Sequence, residues 1–194
     1  MSTIAGGLYR RLAASRPIQG FDVIGIDDLS PDQCDRLDGS LRLIREFGPW
    51  VFRHAVQDLD GIGILDAGGP RYGGWVNLVW VSVEWLDGED EEWIAAATVY
   101  AMTTARILRA WPHRGHRFRR FRMAFERQVS FARRLPGGVL IAERLTRFWD
   151  DGWYSPERQR EVTVRTLRQM DAPEWVVRVF RWLTRRRAGG MGSQ

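Results

Sequence analysis

The chain contains no lysine: all 29 of its Lys-plus-Arg residues are arginine. A phosphate-binding P-loop needs a lysine that reaches the β- and γ-phosphates, so that route to nucleotide chemistry is closed. Gly61-x-Gly63 and Gly68-Gly69 do not reopen it, because neither leads into a helix as phosphate loops do. There is one cysteine, Cys34, which excludes an intramolecular disulfide and a thiolate metal cluster. It reads as a small buried apolar residue. Histidine is scarce too, at three residues, and no G-x-S-x-G occurs, so the usual nucleophile–base arrangements are not visible. His113 and His116 form the one close pair, in a loop that reads as solvent-exposed. His54 reads as a satisfied histidine of a core or edge strand. Long apolar runs are also missing. The most apolar stretch, 93–111, is interrupted by Arg106 and Arg109, and the first twenty residues hold Arg10, Arg11 and Arg16 without a signal-type apolar segment. The expectation is a cytoplasmic protein with no membrane partner.

What is present is a globular composition. With 194 residues, 44% hydrophobic and ten tryptophans, the chain can bury a proper core. The charge is unevenly spread. Residues 1–105 hold 8 Arg against 16 Asp plus Glu, whereas residues 106–194 hold 21 Arg against 8 acids. Such asymmetry fits either two regions that attract each other within the fold or a basic surface for a polyanion.

Residues 1–20 read as a loosely ordered arm. Ser30-Pro31-Asp32 opens a helix with Ser30 as N-cap, and its apolar stripe Leu37, Leu41, Ile44 and Phe47 runs to the stop at Gly48-Pro49. Extended segments are expected at Trp50–Val56, Gly61–Leu65 and Trp75–Leu86, with a turn at Gly68-Gly69-Pro70. An acidic loop, 87–92, feeds a helix over 93–111 that ends before Pro112. A second helix over 117–135 carries Phe118, Phe121, Phe125, Gln128, Ala132 and Leu135 on one stripe, and Pro136-Gly137-Gly138 stops it. Short helices follow at Val139–Trp149 and from Ser155-Pro156, the latter with Val162, Val164, Leu167 and Met170. A final helix, begun by a capping box at Asp171–Glu174, turns Trp175, Val176, Val179, Trp182 and Leu183 inward. Residues 188–194 read as a flexible tail.

The chemistry-bearing candidate is the run Thr98-Val99-Tyr100-Ala101-Met102-Thr103-Thr104-Ala105-Arg106. It resembles the "T-[LV]-H-E-x-T-H-A-R" segment of small bacterial zincin-like proteins. In such a helix two histidines at i and i+4 bind zinc, and the glutamate beside the first acts as general base. On that register Tyr100 and Thr104 stand where the histidines would be, and Ala101 where the glutamate would be. In a gluzincin-type protein the third ligand is a carboxylate on the next helix, in a segment like "[CF]-x-R-R-E-x-A-F-A-x-R-L-P". Phe125-Glu126-Arg127-Gln128-Val129-Ser130-Phe131-Ala132-Arg133-Arg134-Leu135-Pro136 is similar to it and has Gln128 at the ligand position. The C-terminal Pro173-x-Trp175-Val176-Val177-Arg178 and Trp182-Leu183-x-Arg185-Arg186-Arg187 also look like that group, so the resemblance spans roughly 75–187.

The resemblance implies an α+β fold of minimal zincin type over a single domain, 1–187, in which a short, mostly antiparallel sheet packs against a helical C-terminal part. It also implies a degenerate HExxH site: a former active-site cleft lined by Tyr100, Ala101, Thr104 and Gln128, with no catalytic residue, no metal ligand and no cofactor. The expected function is a non-catalytic pseudo-metallopeptidase domain that binds a protein or peptide. Two alternatives stay open. Residues 93–111 and 117–135 also read simply as two packed core helices. Alternatively, the arginine face over 114–134, with Arg114, Arg117, Arg119, Arg120 and Arg122, could serve a basic nucleic-acid or polyanion-binding module. Tyrosine at neutral pH, alanine, threonine and glutamine supply none of the imidazole, thiolate or carboxylate groups that zinc uses. The purified protein is therefore expected to carry no stoichiometric zinc. Metal analysis after dialysis checks this, and about one zinc per chain would contradict it.

Overall fold

The computed structural model describes residues 15–25, 29–65, 70–73, 77–110, 117–152, 161, 164, 168 and 173–189; for 117–118 and 182–189 it describes the backbone alone. The class is α+β. The chain divides into two compact units, Met1–Thr146 and Arg147–Gln194.

The first unit begins with a hairpin rather than a loose arm. Strands β1 (Ser15–Ile18) and β2 (Phe21–Ile24) pair antiparallel with Ile18 opposite Phe21. The two loop residues, Gln19 and Gly20, both have positive φ, at 49° and 88°. A two-residue turn of that kind matches the natural strand twist. Residues 1–14 of the expected arm lie outside the described residues.

Helix α1 (Pro31–Phe47) starts as its sequence dictates. The Ser30 side chain accepts from the Gln33 amide, the Gln33 side chain accepts from the Ser30 amide, and Pro31 occupies the first turn. Leu37, Leu41 and Ile44 are fully buried, while Phe47 and Cys34 are only half-buried, so Cys34 is not the core residue its composition suggested.

Helix α2 (Pro49–Asp58) replaces the strand expected at Trp50–Val56. Trp, Val and Phe favour strands, but Pro49 sits at the first helical position and Val51 and Ala55 lie one turn apart, both buried. Burial of that face outweighs intrinsic preference.

Strands β3 (Gly61–Leu65), β4 (Arg71–Gly73) and β5 (Leu78–Ser82) complete a five-stranded sheet in the order β1-β2-β3-β5-β4. The sheet is mixed. Its central pairs, β2/β3 and β3/β5, run parallel, and its outer pairs, β1/β2 and β5/β4, run antiparallel. All five residues of β5 are buried, as a central strand requires. The long strand expected over 75–86 is cut short at Ser82, whose hydroxyl accepts from the Trp85 amide and caps helix α3 (Val83–Gly88). Alternating Val83 and Trp85 imitate strand periodicity, and a local cap decides otherwise. The turn expected at Gly68-Gly69 lies outside the described residues.

The acidic stretch is less a loop than a pair of helix ends. Arg36 Nη1 donates to the carbonyls of Leu86, Asp87 and Glu89 at 3.0–3.2 Å, closing the end of α3. Asp90 Oδ1 accepts from the Trp93 amide, and Glu91 and Glu92 fill the first turn of helix α4 (Glu91–Ala110). Helix α5 (Arg117–Ala132) makes the most extensive helix–helix contact of the described elements, against α4. It stops three residues short of the expected end, in turns over 133–137, and Gly138 opens helix α6 (Gly138–Asp150). Buried on α5 are Ala124, Gln128, Val129, Phe131 and Ala132, while Phe121 and Phe125 are half-buried.

In the second unit helix α7 (Glu174–Gly189) buries Val177, not the expected face: Trp175 is 64% and Val179 46% exposed. The expected stripe was out of phase by about one residue, and the helix runs into the expected tail as far as Gly189. Of the helix expected from Ser155, Glu161, Val164 and Arg168 are helical and the remainder lies outside the described residues, as do 171–172 of the expected capping box. No helix of the described residues is long and apolar enough to cross a membrane.

On one sheet face the Trp80 ring lies against Gly63 of β3 and Gly73 of β4, where a Cβ would collide with it. Ile24, Leu78 and Trp80 form an apolar cluster there, with Leu65 packed against it. Gly63→Ala is expected to destabilise the fold by about 1–3 kcal/mol through overpacking. Chemical denaturation measures this, and an unchanged midpoint would contradict the ring placement.

Candidate functional site

From Trp93 to Ala105, α4 is buried at every position except Tyr100 and Thr104. Those two residues lie one turn apart and share a face, so a single half-buried stripe opens in an otherwise enclosed segment. Ala101 beside them is completely buried. The Thr104 hydroxyl donates to the Tyr100 carbonyl at 2.8 Å, an ordinary bond back to the preceding turn. Gln128, on the helix packed against α4, is 1% exposed, so an amide occupies the interior as its place on the α5 stripe suggested. The four positions do not fit a zinc ion. One hydroxyl is committed to its own helix, and no member is an imidazole or carboxylate. Among the described residues no group of three or more His, Cys, Asp and Glu could hold a metal.

The arginine face is partly described. Arg119 and Arg122 are exposed and Arg120 is half-buried; Arg114 and the Arg117 side chain lie outside the described residues. Arg122 pairs with Glu126 at 3.0 Å, one turn along. His113 and His116 also lie outside the described residues. His54 belongs to a helix, not a strand. Its Nδ1 sits 2.8 Å from the Trp50 carbonyl, and its ring lies 4.4 Å from the Trp50 ring.

The sequence did not disclose a shallow depression between α2 and α4, lined by Trp50, His54, Asp58, Met102, Thr103 and Arg106 among others. It was hidden because 50–56 read as extended. Met102 and Arg106 project from the side of α4 away from Tyr100 and Thr104, with Thr103 between the two sides. The depression is therefore distinct from the former ligand register. Its rim is basic and aromatic: Arg106 and Arg127 each approach the Trp50 ring, at 5.1 and 5.2 Å from its centroid. Asp58 anchors the rim through Arg106 (2.6 Å) and Arg109 (3.6 Å). The Asp58 carbonyl accepts from Arg109 and Asn77, and Asn77 accepts from the Tyr72 hydroxyl at 3.1 Å, which ties β4 to the ends of α2 and α4. Burial raises the Tyr72 pKa above its ordinary value; Arg109 opposes that shift and Asp60 adds to it.

These ion pairs, with the two-pronged Arg144–Glu89 contact at 2.7–2.8 Å, join arginines from the basic half to acids from the acidic half. Part of the charge asymmetry is thus spent inside the fold. Each exposed pair contributes only about 0–1 kcal/mol, so their main effect is registry between helices.

Comparison with known protein families, with curated proteins and with solved structures finds no match to this chain.

Two buried hydroxyls on α4, of Thr98 and Thr103, have no hydrogen-bond partner. Thr98 is 1% exposed, so its hydroxyl is desolvated without return. Thr98→Val keeps the shape and is expected to stabilise the protein by about 1 kcal/mol. A loss of that size in thermal or chemical unfolding would show that the hydroxyl has a partner.

Proposed function

We propose that the chain is a non-catalytic, zincin-like scaffold that holds a protein or peptide segment beside α4, along the edge strand β4. The observation that carries this reading is the pattern of burial on α4. In the register of the zincin resemblance, the two histidine positions are the two places where the buried helix opens, at Tyr100 and Thr104. A site once built to expose ligands and since stripped of them leaves openings at those positions. The general-base position is a buried alanine, so water activation has no agent there.

The edge strand supports the same reading. β4 is the last strand of the sheet, contacts α4 and pairs on one side only among the described residues. An extended peptide can add to such an edge through main-chain hydrogen bonds that need no metal. The arginine face is the weaker surface for a partner. Arg122 is paired with Glu126, and the exposed Trp50 ring is already met by two guanidiniums instead of being open for base stacking.

The test is an amide NMR titration with a mixture of acetylated, amidated hexapeptides, followed by a single-stranded oligonucleotide. Peptide-induced shifts are expected at Arg71–Gly73 and at Tyr100 and Thr104. Oligonucleotide binding is expected to vanish near physiological salt, since a few phosphate contacts are strongly screened. Sub-micromolar oligonucleotide affinity at about 150 mM salt, with shifts confined to 119–134, would overturn the proposal.

A further inference from the structure

Arg71, the first residue of β4, stands out chemically. Its two terminal guanidinium nitrogens are shielded from solvent and neither has a hydrogen-bond partner, although Arg71 as a whole is only half-buried at the sheet edge. A guanidinium carries its donors in a rigid fork and stays charged, so burying it without an acceptor is costly and neutralisation is no escape. Burial does push its pKa below the ordinary arginine value. Natural folds pair such a group with a carboxylate, a phosphate or backbone carbonyls. Among the described residues no such acceptor is bonded to it. Arg71 lies directly across from Trp80 on β5, and the residue two places on, Gly73, lies beside the Trp80 ring. On that face the described neighbours within β4 and β5 are Gly73, Trp80 and Leu78.

We infer that Arg71 is an oxyanion receptor on the β4 edge, and that its ligand is a carboxylate carried by the extended segment that pairs with that edge. The inference rests on the peptide-binding reading above and names the chemistry of the peptide. Three features lead to it. The fork has two donors to offer and both are vacant, which suits a two-oxygen acceptor. Arg71 lies on the last strand of the sheet, whose other side carries no strand among the described residues. In an antiparallel pair, side chains directly opposite each other leave the same face about 5 Å apart, so a residue paired with Arg71 delivers its side chain to the guanidinium's own side. Opposite charge there is favourable, and more so because water is excluded. The same geometry selects against a basic or apolar residue at that position, which leaves the guanidinium buried and unmet.

The experiment uses the full chain, wild type and Arg71→Met, with three probes: an acetylated, amidated hexapeptide with a central Glu, the same peptide with Gln, and inorganic phosphate at matched ionic strength. Affinity is read by calorimetry, and the Arg71 Nε–H signal is followed in ¹⁵N-arginine-labelled wild-type protein. The expected result is that wild type binds the Glu peptide at least about tenfold more tightly than the Gln peptide, that Arg71→Met removes the difference, and that the Arg71 signal moves on binding. Removing the uncompensated charge is also expected to raise the unfolding midpoint of the unliganded variant. If Arg71→Met does not fold, the wild-type Glu/Gln ratio and the Arg71 signal still decide. Equal affinity for the two peptides, with an unmoved Arg71 signal, overturns the inference and leaves the peptide-binding reading standing. If neither peptide binds while phosphate shifts the Arg71 signal, the receptor stands and the peptide-binding reading fails. No response to any of the three probes overturns both.

Discussion

The enclosure of α4 is the constraint on which the first unit depends. From Trp93 to Ala105 this helix presents small or apolar side chains on nearly every side, and α1, α2, α5, β4 and β5 all pack on it. Alanines at 95, 96, 97, 101 and 105 keep its surface low, so neighbouring elements can approach closely and exclude water around most of its circumference. A helix buried all round has no amphipathic stripe to set its rotation, so its ends must set its position. At the N-terminal end Asp90 caps it. Trp85 lies against Trp93 with ring centroids 6.1 Å apart, and Arg144, itself held by Glu89, sits 3.9 Å from the Trp93 ring centroid. Towards the C-terminal end Arg106 and Arg109 are tied to Asp58 at the end of α2. The polar contacts are modest individually, and they act by fixing where a large apolar burial takes place.

The same arrangement accounts for where binding surfaces can arise. Two openings break the enclosure, at different positions around α4. The Tyr100–Thr104 stripe coincides with the ligand register of the zincin resemblance. The Trp50–His54–Thr103–Arg106 depression coincides with no motif and follows from the way α2 leans on α4. A third feature, Arg71, is generated by the sheet, since a short edge strand brings a guanidinium to the apolar face that carries Trp80. Arg71 is a place where the packing leaves a polar group without full compensation, and such groups are where binding free energy is available.

The start of α1 and the strands β3 and β5 were legible in the sequence because their causes are local. Ser30, Pro31 and Gln33 specify the start of α1 whatever surrounds them, and the run Leu78–Ser82 is too apolar to be anything but a central strand. The amide at Gln128 was likewise readable as buried, because it falls on a stripe of apolar residues at helical spacing. The α+β class follows from the same local signals taken in order.

Tertiary structure alone decided the rest, for a consistent reason. Trp50–Val56 and Val83–Leu86 have side chains equally suited to strand or helix, and only the surface they cover selects between them: α2 buries Val51 and Ala55, and α3 follows from a serine cap at the end of a strand. The phase of α7 depended on which of several apolar residues found cover, and Val177 did while Trp175 did not. The order β1-β2-β3-β5-β4, which sends β4 to the edge, is a matter of long-range pairing that no window of sequence encodes. Arg71 therefore looks like any strand arginine in the sequence. Its shielded, partnerless guanidinium comes into being only when distant residues close around it.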